Sequence, residues 1–97
     1  MRHKIIFAQE AADDFKNLKA HYRAEVKDAI ERYLRHEPTK TGKSRIKRLR
    51  GLSRPQYRLR VGEVRVFYDV SPSSVEVLAI IAKSQAGEWL KRAGESI

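Results

Sequence analysis

The chain contains no cysteine, which excludes disulfides, a thiolate metal site and a cysteine nucleophile. It also has no apolar run near the about 20 residues of a membrane span, and its first residues lack the apolar core of a secretory signal. Within residues 40–60 there is no Asp or Glu at all. With a length of 97 residues, these absences predict one soluble, cytoplasmic domain over residues 1–97, with no membrane partner.

Positive charge is concentrated where carboxylates are missing. The net charge is +9, yet residues 1–38 carry 8 Lys/Arg against 7 Asp/Glu, whereas residues 40–60 carry 9 Lys/Arg. A stripe of this density predicts a polyanion partner. Arg predominates over Lys in the stripe, which favours phosphate recognition through forked guanidinium groups. The alternative is a solvated face that only keeps the protein soluble.

Two alternating runs, Tyr57–Val61 and Val64–Val70, flank the pair Gly62-Glu63, which suits a type II′ hairpin turn. This turn sets a register in which Arg60 lies opposite Arg65. The period of two then divides the hairpin into an apolar face and a second face that carries Arg58, Arg60, Arg65 and Phe67. Like charges that face each other destabilise a sheet unless an anion lies between them. We therefore predict a phosphate site on this face.

Elsewhere the pattern predicts a strand at His3–Phe7, followed by helical periodicity from Gln9 to His36. One helix of that length would measure about 42 Å. A domain of this size has a radius of gyration of only about 12.5 Å. The helix is therefore expected to break and fold back, near Ala20-His21-Tyr22.

The rest of the chain predicts a mainly antiparallel sheet. Ser84 is the expected N-cap of a short last helix. The expected elements are a polar loop at Thr39–Ser44, a strand at Arg45–Leu49, turns at Gly51–Gln56 and Ser71–Ser74, a strand at Val75–Lys83 covered on both faces, and a helix at Gln85–Arg92. The predicted fold class is α+β, in which the N-terminal strand and the helical hairpin pack on a twisted antiparallel sheet.

Three segments together resemble a known family. These are Lys47–Leu52 (KRLRGL), Tyr57–Gly62 (YRLRVG) and Val64–Val70 (VRVFYDV), and with the N-terminal strand, the helical hairpin and the last strand they span nearly the whole chain. The combination is similar to the RelE/ParE superfamily of toxins from type II toxin–antitoxin modules. The resemblance implies a RelE-like fold and a cognate antitoxin that wraps the toxin.

What the resemblance implies about activity has two forms. RelE-like members cut messenger RNA in the ribosome, and ParE-like members poison DNA gyrase without an evident catalytic site. In RelE-like members, basic residues at the positions of Arg58, Arg60 and Arg65 are implicated in catalysis, together with the Arg of the Leu-Arg-Gly segment, here Arg50. Two departures favour the gyrase alternative: Ser84 follows Lys83 where RelE has Arg, and the C-terminal Tyr of RelE falls on Trp89 or Leu90.

When the 2′-hydroxyl of RNA attacks the adjacent phosphate, cleavage needs no metal or cofactor. We therefore predict neither for this chain. The largest requirement is fixed positive charge that offsets the charge of the phosphorane, a role that Arg60 and Arg65 suit. Arg58 would hold a neighbouring phosphate or donate a proton, although arginine is a poor acid because its pKa exceeds about 12. Lys83 is the better proton donor if burial lowers its pKa.

Further candidates for the RNA site are the basic residues of the stripe and one aromatic residue. Lys47, Arg48 and Arg50 are expected to bind phosphate. Phe67 either stacks on a base or packs against the last helix. Trp89 is either core or part of an apolar groove filled by an antitoxin helix.

The other titratable residues are expected to be structural. Asp69 and Glu76 face each other in the predicted register and are expected to pair with a surface Lys or Arg. The three histidines, His3, His21 and His36, have no metal-like spacing. Three functions remain open at this point: a ribosome-dependent endoribonuclease toxin, a gyrase-binding ParE-like toxin, and a plain RNA-binding module.

Overall fold

Seven strands and three helices make up the part of the chain that the computed structural model describes, residues 2–42 and 44–97. The strands are β1 (Lys4–Phe7), β2 (Ile46–Arg48), β3 (Leu52–Arg54), β4 (Tyr57–Val61), β5 (Val64–Val70), β6 (Ser74–Ala82) and β7 (Glu95–Ser96). The helices are α1 (Gln9–Asn17), α2 (Ala20–Ala29), which a π-helical turn (Ile30–Leu34) continues, and α3 (Lys83–Ala93). None of these helices has the length and apolar character to traverse a bilayer.

Five of the strands form one sheet in the order β1-β6-β5-β4-β2, in which only β1 and β6 run parallel. β3 and β7 form a separate antiparallel pair. The α+β class with a mainly antiparallel sheet is therefore confirmed, with one parallel edge.

The β4–β5 hairpin has the predicted register, with Val61 opposite Val64 and Arg60 opposite Arg65. Gly62 has a φ of +58°, and no residue other than glycine has a positive φ within the described ranges. A positive φ at the first turn position alone agrees with a type II′ turn and excludes type I′. The turn chemistry thus fixes which side chains share a face.

The main core lies between the helices and the apolar face of this hairpin. Leu59, Val66 and Tyr68 are fully buried there, with Val26 and Leu34 from the helical side. Each fully buried side chain of this size contributes about 1.5–3 kcal/mol to folding. This burial holds the hairpin in one register, because a slip by one residue would expose the whole set.

A second, smaller cluster covers part of the opposite face. Phe67 and Ala79 lie there beneath Trp89 of α3, whose ring stacks on Phe67 with 5.0 Å between centroids. Trp89 Nε1 also donates a hydrogen bond to Glu10 Oε2 at 2.8 Å, which joins α3 to the start of α1. β6 is therefore covered on both faces, as its apolar sequence predicts.

The helical hairpin breaks at Leu18 and Lys19, two residues before the predicted position. Both residues have extended backbone, with ψ of 148° and 151°. The Leu18 carbonyl accepts a hydrogen bond from the Arg23 guanidinium, and Phe15 packs edge-on against Phe7. Tertiary contacts therefore set the position of the break, since neither glycine nor proline marks it. The resulting radius of gyration is 12.2 Å.

Three predicted boundaries are wrong. The segment Gly51–Gln56 is not only a turn, because it contains β3, whose partner β7 lies about 40 residues away in the sequence. Ser84 is not the N-cap of α3, since the helix begins at Lys83 and Ala82 occupies the cap position. β2 is shorter than the predicted strand. The predicted loop at Thr39–Ser44 includes Lys43, which lies outside the described residues.

The carboxylate of Asp14 accepts a hydrogen bond from β6 beyond the point where β1 ends. β1 pairs with β6 only as far as Val77, and Asp14 Oδ2 accepts the backbone hydrogen bond of Ile80 at 2.9 Å. Burial raises the pKa of Asp14, although the Ile80 bond acts in the opposite direction. The carboxylate therefore satisfies a backbone N–H that has lost its neighbouring strand.

We predict that Asp14→Ala lowers the free energy of unfolding by about 1–3 kcal/mol, because it leaves the Ile80 N–H without its acceptor. Asp14→Asn keeps an acceptor oxygen and removes the charge that burial disfavours, so its cost is expected to be less than half as large. Urea denaturation of the two variants checks this. Equal losses in both would contradict the assigned role.

Candidate functional site

An open concavity of about 750 Å³ lies at the edge of the sheet formed by β2 and β4, beside the start of α3. We call it the basic concavity. Its walls are Thr41, Gly42, Ser44, Ile46, Lys47, Arg48, Arg50, Arg58, Arg60, Arg65 and Lys83. No Asp or Glu is among these lining residues, so their side chains leave the concavity with uncompensated positive charge.

Arg58 carries a buried hydrogen-bond donor in the basic concavity that has no acceptor among the described residues. Its side chain is half-buried, and this donor is its Nε atom. Burial, followed by the charges of Arg65 and Arg60, lowers the pKa of Arg58 below its usual value. A buried donor without an acceptor is costly in a protein interior. An anion in the concavity would remove this cost.

Arg60 and Arg65 face each other across the hairpin, as predicted, but they differ in exposure and in hydrogen bonding. Arg60 is exposed, whereas Arg65 is only 7% exposed. Arg65 Nη1 donates to the carbonyl of Gly62 at 2.7 Å and to that of Val64 at 3.1 Å. Arg65 is thus a fixed charge at the base of the turn, and Arg60 is the exposed one.

Lys47, Arg50 and Lys83 are exposed at the rim. Lys83 opens α3 rather than closing the last strand, and its backbone N–H donates to the carbonyl of Glu63 at 2.8 Å. This bond ties the helix to the hairpin turn. Lys83 is exposed, so the burial on which its predicted acid role depends is absent.

Arg48 borders the concavity, but its guanidinium is engaged elsewhere. Nη1 donates to the carbonyls of Gln56 at 2.7 Å and Leu49 at 3.1 Å, and the guanidinium carbon lies 5.3 Å from the centre of the Tyr57 ring. The register places Arg48 opposite Tyr57, whose ring packs against the main core. Arg48 therefore holds the local backbone together, which differs from its predicted part in phosphate binding.

Phe67 and Trp89 do not lie in the basic concavity. Phe67 is 1% exposed and Trp89 is 6% exposed, and each ring covers the other. The interpretation of Phe67 as a platform for a base is wrong, and its alternative, contact with the last helix, is confirmed. Trp89 is a core residue and does not stand in for the missing C-terminal Tyr.

Asp69 and Glu76 pair with a surface arginine, as predicted. Arg54 Nη1 lies 3.3 Å from Asp69 Oδ2, and Arg54 Nη2 lies 3.3 Å from Glu76 Oε1. The carboxylates thus belong to an ion-pair cluster outside the basic concavity. This pairing also removes Arg54 from the cations available to a ligand.

Sequence reasoning missed the contribution of the loop before β2. Thr41, Gly42 and Ser44 line the basic concavity, and the hydroxyls of Thr41 and Ser44 are donors beside its cations. Gly42 is held in place by a hydrogen bond from its N–H to the carbonyl of Ile46 at 3.1 Å. Small polar residues directly before a basic strand are the sequence feature that could have predicted this part of the concavity.

The sequence matches a family model over residues 5–87, and that model describes the ParE toxin of the type II toxin–antitoxin system, parDE. The chain belongs to this family. It is thus a RelE/ParE superfamily toxin, and the resemblance drawn from its three sequence segments is confirmed. No curated protein matches the sequence significantly.

Solved structures confirm the RelE-like fold of this ParE-family chain. The archaeal RelE–RelB complex from Pyrococcus horikoshii OT3 matches with a TM-score of 0.70 and 19% identity, over 88% of this chain and 99% of that chain. The RelB–RelE antitoxin–toxin complex from Methanococcus jannaschii matches with a TM-score of 0.67 and 23% identity, over 87% and 96%. The YoeB dimer from Staphylococcus aureus gives 0.62 and 19%, over 81% and 94%.

We predict that Arg60→Gln raises the free energy of unfolding by about 0.2–1 kcal/mol, because it removes one of two like charges that face each other. The matched control is Arg32→Gln, which removes an exposed arginine paired with Asp28 at 3.4 Å and is expected to give no increase. Thermal unfolding at low ionic strength measures both. A loss of stability in Arg60→Gln would contradict the repulsion that the register implies.

Proposed function

We propose that this toxin is a metal-independent, ribosome-dependent endoribonuclease that seats an mRNA phosphodiester in the basic concavity. The observation that carries the proposal is Arg58, a half-buried guanidinium whose Nε has no partner among residues 2–42 and 44–97 and whose neighbours Arg60 and Arg65 repel it. A protein gains no stability from such an arrangement. An anionic ligand with several acceptor oxygens relieves both the unsatisfied donor and the repulsion.

The reaction is a transesterification within the RNA. The 2′-oxygen forms a bond to the adjacent phosphorus and gives up its proton, the bond from phosphorus to the 5′-oxygen breaks, and that oxygen takes up a proton. The products are a 2′,3′-cyclic phosphate and a 5′-hydroxyl. Negative charge builds up on the phosphorane oxygens, and the fixed charges of Arg58 and Arg65, with Arg60 at the rim, offset it.

Dependence on the ribosome is part of what the resemblance to RelE-like toxins implies, and the lining of the concavity is compatible with it. Its described lining residues include no histidine, tyrosine or carboxylate that would serve as a general base. Catalysis must then come from charge stabilisation and from the alignment of the 2′-oxygen with the bond that breaks. In the proposed reaction, the ribosome supplies that alignment by holding the mRNA.

The partner that neutralises the toxin is expected to be a cognate antitoxin. Two of the matching structures are toxins in complex with the antitoxin RelB, and they align with 87–88% of this chain. With a net charge of +9, this chain is expected to favour an antitoxin with an acidic contact surface.

Two observations favour a second candidate function. They are the family model and the absence of a general base among the described residues that line the concavity. The model that matches residues 5–87 describes ParE toxins. A ParE-like toxin would use the same basic surface to bind DNA gyrase and would cut nothing. In that case the cations of the basic concavity contribute to protein binding, and no covalent step occurs.

For the nuclease, we predict that Arg60→Gln slows cleavage of ribosome-bound mRNA by at least about 100-fold, since one donor to the developing charge is lost. Arg60 is exposed, so the fold is not at risk. Arg32→Gln, at an exposed arginine that does not line the basic concavity, serves as the matched control and is expected to cleave normally. Gel analysis of the mRNA fragments measures the rate.

Induction in cells separates the two functions. A nuclease stops translation and leaves cleaved messages, whereas a gyrase poison stops DNA replication and triggers the SOS response. If cleavage continues unchanged after Arg58, Arg60 and Arg65 are each replaced by Gln, the basic concavity is not the catalytic site. An SOS response with intact messages would favour the ParE-like alternative.

A further inference from the structure

The C-terminal residues fold back onto the turn that carries Arg50. β7 pairs antiparallel with β3, with Ser96 opposite Leu52, and the Ile97 N–H donates to the carbonyl of Gly51 at 3.2 Å. The Ser53 hydroxyl lies 3.3 Å from the carbonyl oxygens of both Glu95 and Ser96. The residue next to Arg50 in the sequence is therefore held by the last residues of the chain.

The same turn is anchored from its other side. Leu49 N–H donates to the carbonyl of Gln56 at 2.9 Å, and the Gln56 N–H donates to Asp69 Oδ1 at 2.7 Å. Leu49 also packs against the cluster beneath α3. These contacts fix the two ends of the segment between β2 and β4. Its middle, at Gly51 and Leu52, has β7 as its paired strand.

Arg50 itself has no carboxylate partner among the described residues and is exposed at the rim of the basic concavity. A side chain on an unsupported turn would lose backbone and side-chain entropy each time it bound a phosphate. A turn that is already ordered loses less. The contacts of the C-terminal segment supply that order at the position adjacent to Arg50.

We propose that residues 94–97 position the Arg50 turn for phosphate binding, so that this segment is a positioning element of the RNA site without touching the RNA. The inference rests on the proposed function, because Arg50 matters only if an anion occupies the basic concavity. It adds to that function a second contact point, whose geometry depends on the C-terminal segment.

A substitution at Gly94 is expected to disturb this segment. A Cβ at Gly94 would lie 2.5 Å from the carbonyl oxygen of Leu90 and 3.2 Å from Leu52 Cδ2, so a larger residue must shift the backbone where α3 leads into β7 and press against β3. Gly87, in the exposed part of α3, offers the matched control, since a Cβ there would meet nothing within 4 Å. Gly94→Val and Gly87→Val therefore differ mainly in whether the contact of β7 with β3 is disturbed.

The experiment measures binding of an uncleavable 2′-O-methyl RNA to the full-length toxin over a range of salt concentrations. Arg50→Gln and Gly94→Val are each expected to weaken binding by about 5- to 10-fold. Each is also expected to reduce the slope of log K against log salt by about 0.7, the value for one phosphate contact on a single strand. Gly87→Val is expected to bind as the unaltered chain does.

The double variant Arg50→Gln with Gly94→Val decides the matter. If the C-terminal segment acts through Arg50, the double variant binds no more weakly than Arg50→Gln alone. A full further loss in the double variant, or unchanged binding by Gly94→Val, would overturn the inference. If Arg50→Gln binds normally while Arg60→Gln binds weakly, the inference is overturned and the proposed function stands. If neither variant weakens binding, the proposed function itself fails.

Discussion

The structure depends on one constraint, the register that Gly62-Glu63 gives to the β4–β5 hairpin. Because the turn uses a positive φ at Gly62 only, Val61 lies opposite Val64 and Arg60 opposite Arg65. The same register buries the apolar side chains of both strands in the main core. Core packing thus keeps the arginines together against their mutual repulsion, which is a typical cost of a binding site.

One face of the sheet packs against the main core, and part of the other face is available for binding. One face carries the main core, and α3 covers part of the other through Phe67 and Trp89. The remainder of that second face, beside β2, is left open and carries the basic concavity. This surface has two kinds of cation. Arg58 and Arg65 are partly or fully buried, whereas Arg60 and Arg50 are exposed and can adjust to a ligand.

Much of this arrangement was predictable from the sequence, for physical reasons that differ between elements. The hairpin register follows from a two-residue turn and a period of two, both of which are local. The β3–β7 pair joins residues about 40 positions apart in the chain, so no local pattern predicts it. The break at Leu18–Lys19 is marked by neither glycine nor proline, so its position could be predicted only approximately. The burial of Arg65 was missed because its partners are backbone carbonyls, which the sequence does not distinguish.

The central claim is that a phosphodiester occupies the basic concavity and satisfies Arg58. A crystal structure of the toxin bound to an mRNA mimic with a 2′-O-methyl group at the cleavage site tests this occupancy. We expect a phosphate oxygen about 2.7–2.9 Å from Arg58 Nε, with a second oxygen in contact with Arg60. A phosphate bound elsewhere, with Arg58 Nε still lacking an acceptor, would contradict it.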